Sequence, residues 1–158
     1  MTNPAAEYMY FADPARFSTW TNDARHCDLC AQAGPGYEGP FHGDGGTIGF
    51  LCEDCLTAGL VTEEGIVLHQ ADLELLREQV AAANPHLPAE TVAAIVEDRF
   101  AELAEETPPI KGNPQGLLWP VHCCDFCRFI DMAPADGGGT TYRFECLECH
   151  EPCTVSLP

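Results

Sequence analysis

Residues 27–55 read CDLCAQAGPGYEGPFHGDGGTIGFLCEDC, a stretch that begins and ends with two cysteines separated by two residues. Cys27 and Cys30 form the first pair, and Cys52 and Cys55 form the second pair after 21 intervening residues. Two thiolates at this spacing can bind one ion from a single tight turn, and a second such turn completes a tetrahedral zinc site. One pair alone would be weak evidence, because redox motifs share it. The two pairs together predict a structural zinc site.

The same arrangement recurs near the end of the sequence. Its two pairs are separated by 18 residues and comprise Cys124, Cys127, Cys146 and Cys149. We therefore predict a second structural Zn²⁺ on these four thiols, with the adjacent Cys123 as the alternative to Cys124. Cys153 is expected to be a free thiol in the tail. The competing interpretation is that the cysteine pairs are reduced or disulfide-bonded and bind no metal.

Each set of four cysteines encloses a predicted β-hairpin. Glycine-rich turns at 45–46 and 137–139 supply the positive φ angles that a tight chain reversal needs. The runs that follow, 47–51 and 140–144, are rich in the β-branched and aromatic residues typical of strands. CDLC and GDGGTIGFLCEDC in the first segment match CDFC and ADGGGTTYRFECLEC in the second. The sequence thus predicts an internal repeat of two zinc-ribbon-like units.

An acidic helical segment separates the two units. Apolar residues spaced by three and four predict helices over 72–83 and from about 89 to 105, each ended by prolines. Between Glu53 and Glu106 the sequence has 13 acidic residues and two basic ones. We expect this charge on a solvated outer face, and the alternative is a docking face for a basic partner.

These elements predict a small α+β protein in which two zinc-ribbon-like β-hairpin units are bridged by an acidic two-helix insert. One compact domain is expected, with four consecutive segments. They are an aromatic N-terminal arm (1–26), zinc-ribbon-like unit 1 (27–60), the acidic helical insert (61–107) and zinc-ribbon-like unit 2 (108–158). The aromatic rings of the arm are expected to be buried, because a small domain has little other core.

Composition excludes several classes of protein. The 158 residues carry a formal net charge of −18 with 10 cysteines. The sparse, scattered Lys and Arg residues disfavour nucleic acid and anionic lipid as partners. No apolar run is long enough to span a membrane, and the first 25 residues lack the pattern of a secretory signal. We therefore expect a cytoplasmic protein, where paired cysteines more often bind metal than form disulfides.

Several short motifs follow one another along nearly the whole sequence. They are Tyr10-Phe11-Ala12-Asp13-Pro14, Cys27-x-x-Cys30, Tyr37-Glu38-Gly39-Pro40-Phe41, Leu51-Cys52-x-x-Cys55, Trp119-x-x-His122-Cys123-x-Asp125-x-Cys127 and Phe144-x-Cys146-Leu147-x-Cys149. This order resembles the CbrC family of bacterial proteins, formerly an uncharacterised family, which implies a fold and a bound metal but almost no chemistry. The family pattern places a cysteine at Cys123, whereas the internal repeat favours Cys124. Segment 107–115 departs from the family pattern, so any binding surface there is altered.

These features favour a non-enzymatic, zinc-stabilised protein-interaction module with a protein partner, which the acidic surface suggests is basic. The alternative is an acidic protein that mimics nucleic acid and sequesters a basic partner. No catalytic residue is assigned. Trp119, His122 and Asp125 are candidates for a surface role or for contacts to the metal ligands.

A cysteine- or zinc-dependent enzyme that uses His122 and Cys123 is a further alternative. It is disfavoured because adjacent side chains rarely face each other, and because four thiolates leave zinc no open position. For His122 itself, a packed side chain is favoured over a hydrogen-bonding neighbour of the ligands, and that role is favoured over a fourth ligand.

Overall fold

The computed structural model describes residues 8–57, 65, 69–111 and 117–158. The chain divides into two compact units: residues 1–6, 13–68 and 108–116 form the first, and residues 7–12, 69–107 and 117–158 form the second. The chain is a small α+β protein with several small sheets, as predicted. The predicted boundary between residues 60 and 61 lies outside the described residues.

The two compact units do not coincide with the four segments expected from the sequence. The predicted arm contributes to both units, since residues 8–12 belong to the second unit and residues 13–26 to the first. The predicted helical insert does not stand apart, because both of its helices belong to the second unit. No helix in the described part of the chain is long and apolar enough to cross a membrane.

The first unit is a three-stranded antiparallel sheet with short helices. Its elements are α1 (Pro14–Phe17), β1 (Trp20–His26), β2 (Ala33–Gly43), β3 (Gly46–Cys52) and α2 (Glu53–Thr57). The strand order is β1-β2-β3, and β3 contains the predicted run 47–51. The buried side chains of Tyr37, Phe41 and Leu51 pack together with Cys27 and Cys55, so the core lies directly against the cysteines.

Gly36 allows β2 and β3 to approach closely beside Cys52. Gly36 pairs with Cys52 in the strand register. A Cβ atom at residue 36 would lie 2.2 Å from the backbone oxygen of Leu51, so a side chain there would separate the strands. The absence of a side chain therefore helps to place Cys52 at the end of β3.

The second unit combines two helices with several short sheets. Its elements are β4 (Gln70–Ala71), α3 (Leu73–Ala83), α4 (Ala89–Glu106), β5 (Leu118–Trp119), β6 (Val121–His122), β7 (Asp125–Phe126), β8 (Arg128–Pro134), β9 (Thr140–Glu145) and β10 (Pro152–Leu157). The largest sheet has the order β10-β9-β8, while β6 pairs with β7 and β4 runs parallel to β5. Strand β9 contains the predicted run 140–144.

Both predicted helices are confirmed. Helix α3 begins after Asp72, whose carboxylate accepts a hydrogen bond of 3.0 Å from the amide of Leu75, as an N-cap residue does. Leu76 and Val80 are the buried residues of this helix. Helix α4 buries Val92, Val96 and Leu103, which belong to its predicted apolar stripe. The helices therefore pack through the faces that the three- and four-residue spacing indicates.

Aromatic rings form the core of the second unit. Phe11 from the N-terminal arm packs edge to face against Phe129 with ring centroids 5.0 Å apart. Trp119 packs in the same way against Phe144 at 5.1 Å, and Tyr10 packs against Phe126 at 6.0 Å. The Tyr10 and Phe11 side chains are fully buried, as expected for the arm.

His69 lies inside this aromatic core as a neutral side chain. Its Nε2 atom is 2.8 Å from the backbone oxygen of Thr107, just after the end of α4. Its ring packs edge to face against Trp119 with centroids 5.8 Å apart. Burial lowers the pKa of His69 to about 4, because the charged imidazolium would lose its hydration there.

This packing predicts a pH dependence of the free energy of unfolding. Because the pKa of His69 is lower in the folded chain than in the unfolded chain, the unfolded state binds more protons between about pH 4 and pH 6.5. The free energy of unfolding therefore falls as the pH decreases through this window. Between about pH 7.5 and about pH 5.5, we expect His69 to account for a loss of about 1.4 kcal/mol.

Denaturant titrations of the wild type and His69→Gln at both pH values measure this loss. The metal-ligand candidates titrate equally in both proteins, so the difference between the two pH dependences isolates His69. An equal loss in both proteins contradicts the prediction.

Candidate metal centres

The first unit brings the thiols of Cys27, Cys30, Cys52 and Cys55 together, with the four sulfur atoms within 4.8 Å of one another. The Cys27 and Cys55 sulfurs are 3.7 Å apart, and so are those of Cys30 and Cys52. Zinc–sulfur bonds of about 2.3 Å in a tetrahedron place sulfur atoms about 3.8 Å apart. A disulfide would need about 2.05 Å. The group therefore has the spacing of a four-thiolate metal site.

A tight turn presents the first two thiols of this group. In residues 27–32, the amide of Ala31 donates to the Cys27 oxygen at 2.8 Å, and the Cys27 amide donates to the Gln32 oxygen at 2.9 Å. Ala31 has a φ of 62°, the left-handed conformation that closes the turn. The amide of Leu29 points at the Cys27 sulfur at 3.4 Å. We call this arrangement the knuckle 27–32.

Asp28 attaches the knuckle 27–32 to β3. One oxygen of its carboxylate accepts hydrogen bonds from the amides of Gly49 and Phe50 at 2.7 and 3.0 Å. The other two thiols lie at the end of β3 and in α2, where the Cys55 amide is 3.4 Å from the Cys52 sulfur. The knuckle and the strand end are thus fixed against each other by groups other than the thiols.

The thiols of the first group differ in acidity. Burial opposes ionisation of Cys27, but backbone amides, among them those of Cys52, Cys30 and Leu29, outweigh it and lower the pKa to about 7. Burial and the neighbouring thiols raise the pKa of Cys55. The pKa of Cys27 is therefore lowered while those of Cys52 and Cys55 are raised, as expected for like charges in one place. A divalent cation at the centre would favour ionisation of all four thiols, since a metal deprotonates the thiols that bind it.

The second unit brings together one histidine and three cysteines: His122, Cys123, Cys146 and Cys149, whose ligand atoms all lie within 4.8 Å of one another. The Nδ1 atom of His122 is 3.2 Å from the Cys123 sulfur and 3.4 Å from the Cys149 sulfur. A tetrahedral zinc ion with one nitrogen ligand places nitrogen and sulfur about 3.6 Å apart. This group thus also has the donors and approximate spacing of a zinc site.

A two-residue turn explains why His122 and Cys123 take part. Strands β6 and β7 pair His122 with Asp125, which leaves Cys123 and Cys124 as the two residues of the turn. Their φ values are 51° and 65°, and positive φ at both turn residues defines a type I′ hairpin. Such a turn is unfavourable for residues other than Gly and Asn, and backbone of this kind concentrates at functional sites.

Cys124 and Cys127 lie outside the second group, although the sequence predicts both as ligands. The Cys124 thiol is directed at the backbone oxygen of Gln79 at 3.3 Å, and its amide donates to the Gln79 side chain at 2.9 Å. The Cys127 sulfur lies 4.0 Å from that of Cys153. Between the two cysteines the chain is the extended strand β7, so the segment does not fold into a knuckle that would bring the two thiols together.

The two units share one turn structure, but it relates different segments from those of the predicted repeat. In residues 146–151, the His150 amide donates to the Cys146 oxygen at 3.1 Å, and the Cys146 amide donates to the Glu151 oxygen at 2.9 Å. His150 has a φ of 63°. This hydrogen-bond pattern is that of the knuckle 27–32, so we name the segment the knuckle 146–151. The predicted correspondence of Cys27-x-x-Cys30 with Cys124-x-x-Cys127 is replaced by one with Cys146-x-x-Cys149.

Ionisation in the second group follows the pattern of the first. Burial opposes ionisation of Cys146, but the amides of Cys149 and Glu148 and the side chains of His122 and Cys149 lower its pKa to about 6. The hydrogen bond to Cys146, burial and the Cys149 thiol raise the pKa of Cys123 to about 12. As in the first group, a bound cation would balance the charge that the thiols cannot carry together.

The other residues singled out in the sequence support the core. Trp119 is 1% exposed and donates from Nε1 to the Cys127 oxygen at 2.7 Å, so it is not a surface residue. Asp125 accepts hydrogen bonds from the Tyr10 hydroxyl at 2.9 Å and from Arg99 at 3.1 Å. Neither residue belongs to the second ligand group. Of the segment 107–115, residues 112–115 lie outside the described residues.

Sequence reasoning missed Glu151, and it ranked the role of His122 as a ligand last. The Nε2 atom of His122 lies 3.0 Å from a Glu151 carboxylate oxygen, while its Nδ1 atom faces the thiols. The adjacent cysteines Cys123 and Cys124 were the sequence feature that could have indicated this arrangement, because either of them could contribute the thiol to the second group. The hairpin places both cysteines in its turn, and the directions of their thiols decide between them, since Cys123 contacts His122 and Cys124 contacts Gln79.

A family model described as an uncharacterised protein family (UPF0167) matches residues 5–137. This match is consistent with the resemblance to CbrC proteins, although it does not carry that name. It covers the first group, His122 and Cys123, while Cys146 and Cys149 lie beyond its end. No curated protein matches the chain. No solved structure matches it either.

Substitution of the two neighbouring cysteines tests the composition of the second group. We expect Cys123→Ser to lose one of two bound zinc ions, because it removes a ligand, and Cys124→Ser to retain both. Elemental analysis of the purified, dialysed proteins measures the stoichiometry. The reverse result, with an ion lost only from Cys124→Ser, contradicts the assignment.

Proposed function

The chain belongs to the uncharacterised protein family UPF0167, and we propose that it is a non-catalytic protein-interaction module held together by two structural zinc ions. The observation that supports this most strongly is the pair of four-donor groups, one of four thiols and one of three thiols with an imidazole. Thiolate and imidazole are the donors of structural zinc sites, where four protein ligands leave no open position. The two groups are the metal-binding centres of zinc-ribbon-like units.

A structural role follows from the places where the ligands lie in the chain. Each group joins segments that are distant in sequence: residues 27–30 with 52–55, and residues 122–123 with 146–149. Structural zinc binding supplies about 10–16 kcal/mol of apparent free energy coupled to folding. A whole domain is typically stable by about 5–15 kcal/mol. Each ion is thus a major contributor to the stability of its unit.

The arrangement of His122 favours a metal ligand over a catalytic base. The expectation that adjacent side chains do not face each other fails here, since His122 contacts the Cys123 sulfur. The same Nδ1 atom also contacts Cys149, so one nitrogen faces two thiols. A nucleophile and base need one such contact and a free thiol. An ion bound by all of these donors requires the nitrogen to lie close to more than one thiol, as it does here.

The acidic helices support a basic partner. The exposed acidic residues on α3 and α4 include Glu74, Glu78, Glu90, Glu97, Asp98 and Glu102. The two arginines of these helices are already paired, Arg77 with Glu74 and Arg99 with Asp125. The helices therefore present uncompensated negative charge to solvent, which attracts a positively charged protein surface.

Removal of zinc tests the proposed structural role. We expect a high-affinity chelator to abolish the cooperative thermal unfolding transition in reducing buffer, and added zinc to restore it, because folding and metal binding are coupled. Cys27→Ser and Cys52→Ser should destabilise the first unit, whereas Cys153→Ser, outside both groups, should unfold like the wild type. A folded, metal-free wild type with an unchanged melting transition contradicts the proposal.

Charge reversal tests the proposed partner surface. We expect Glu78→Lys/Glu97→Lys to weaken binding of proteins captured from the source cells at low salt, since it alters the helices. The matched control Asp23→Lys/Asp136→Lys makes the same charge change at exposed residues outside the helices and should bind like the wild type. Quantitative capture over a range of salt concentrations is the measurement. Equal weakening by both variants, or binding insensitive to salt, contradicts the proposal that the acidic helices bind the partner.

A further inference from the structure

The two ring nitrogens of His122 face different partners. Nδ1 lies among the thiols of the second group, 3.2 Å from Cys123 and 3.4 Å from Cys149. Nε2 lies 3.0 Å from a carboxylate oxygen of Glu151. An imidazole that binds a metal through one nitrogen carries its hydrogen on the other, and this hydrogen needs an acceptor. Glu151 is in the position of that acceptor.

The knuckle that carries Glu151 holds it in place through the backbone. Glu151 ends the knuckle 146–151, and its backbone oxygen accepts the hydrogen bond from the amide of Cys146. The segment that supplies two thiols to the second group thus also fixes the backbone position of Glu151. The neighbouring His150 is paired with Glu145 at 2.7 Å.

The first group offers an internal comparison. The knuckle 27–32 has the same hydrogen bonds as the knuckle 146–151, and Gln32 occupies the position that corresponds to Glu151. The first group contains only cysteines and has no imidazole to orient. The last residue of the knuckle is thus a carboxylate, Glu151, where the group contains a histidine. It is an amide, Gln32, where the group contains none.

We infer that Glu151 is a positioning residue for the second metal centre, which orients His122 so that Nδ1 binds the ion. This inference rests on the proposed function, since it assumes that the second group binds zinc. Glu151 accepts the hydrogen bond from Nε2–H, which fixes both the tautomer and the direction of the ring. The Glu151 side chain is 63% exposed, and ion pairs of this kind contribute little to folding stability. Its effect therefore falls on metal affinity.

Zinc affinity measured by competition with a chromophoric chelator, on the full-length protein, tests this role. Loss of such a carboxylate typically weakens metal binding about 10–100-fold, and the exposure of Glu151 favours the lower end. We expect Glu151→Ala to weaken one of two sites about tenfold. Glu151→Gln keeps an acceptor atom, so it should weaken the site less. Gln32→Ala, at the corresponding position of the other knuckle, should leave both sites unchanged.

His122→Cys provides the control that separates positioning from a structural role. Its second group has four thiols and no imidazole, so adding Glu151→Ala should have no further effect on affinity. An equal loss in this background overturns the positioning role, because it shows that Glu151 supports the knuckle itself. Unchanged affinity of Glu151→Ala alone also overturns it. Binding of one zinc ion by the wild type instead contradicts the proposed second site.

Discussion

The repulsion among four donors that converge on one point is the constraint on which both units depend. In the first unit, sulfur atoms from the two ends of a long hairpin lie 3.7 Å apart. At that distance one thiolate makes the next unfavourable, as the raised pKa of Cys55 beside the lowered pKa of Cys27 indicates. A divalent cation bound at this point would turn the repulsion into a link between the two ends. Much of the remaining architecture serves to bring the donors together.

The two units reach this arrangement by different chain paths. In both, a knuckle with a left-handed residue after its second cysteine supplies two thiols, at Ala31 in one case and at His150 in the other. In the first unit the remaining donors come later in the chain, from the end of β3 and from α2. In the second unit they come earlier, from the hairpin of β6 and β7. The imidazole of the second group replaces one thiolate, which makes that site less negative.

The first group could be predicted from the sequence, because both of its cysteine pairs have the two-residue spacing of metal ligands, one pair in a turn and the other where β3 passes into α2. The two helices could also be predicted, since apolar spacing and the Asp72 cap determine helix formation through residues that are close in sequence. For the second group the sequence indicates Cys146 and Cys149, and Cys123 only as the alternative to Cys124. Cys146 and Cys149 lie in a knuckle, but Cys124 and Cys127 flank a strand, and spacing alone does not distinguish these conformations. What separates the two turn residues is the direction of their thiols: Cys123 contacts His122, whereas Cys124 is directed at the Gln79 oxygen, a tertiary contact.

X-ray absorption at the zinc K-edge of the fully loaded protein counts the donor atoms around the ions. We expect seven sulfur ligands and one nitrogen ligand over two four-coordinate ions, from the two groups of the structure. Eight sulfur ligands would restore the cysteine pair that flanks β7 and contradict the role of His122. Oxygen ligands in the first shell would show an open coordination position and contradict two closed structural sites.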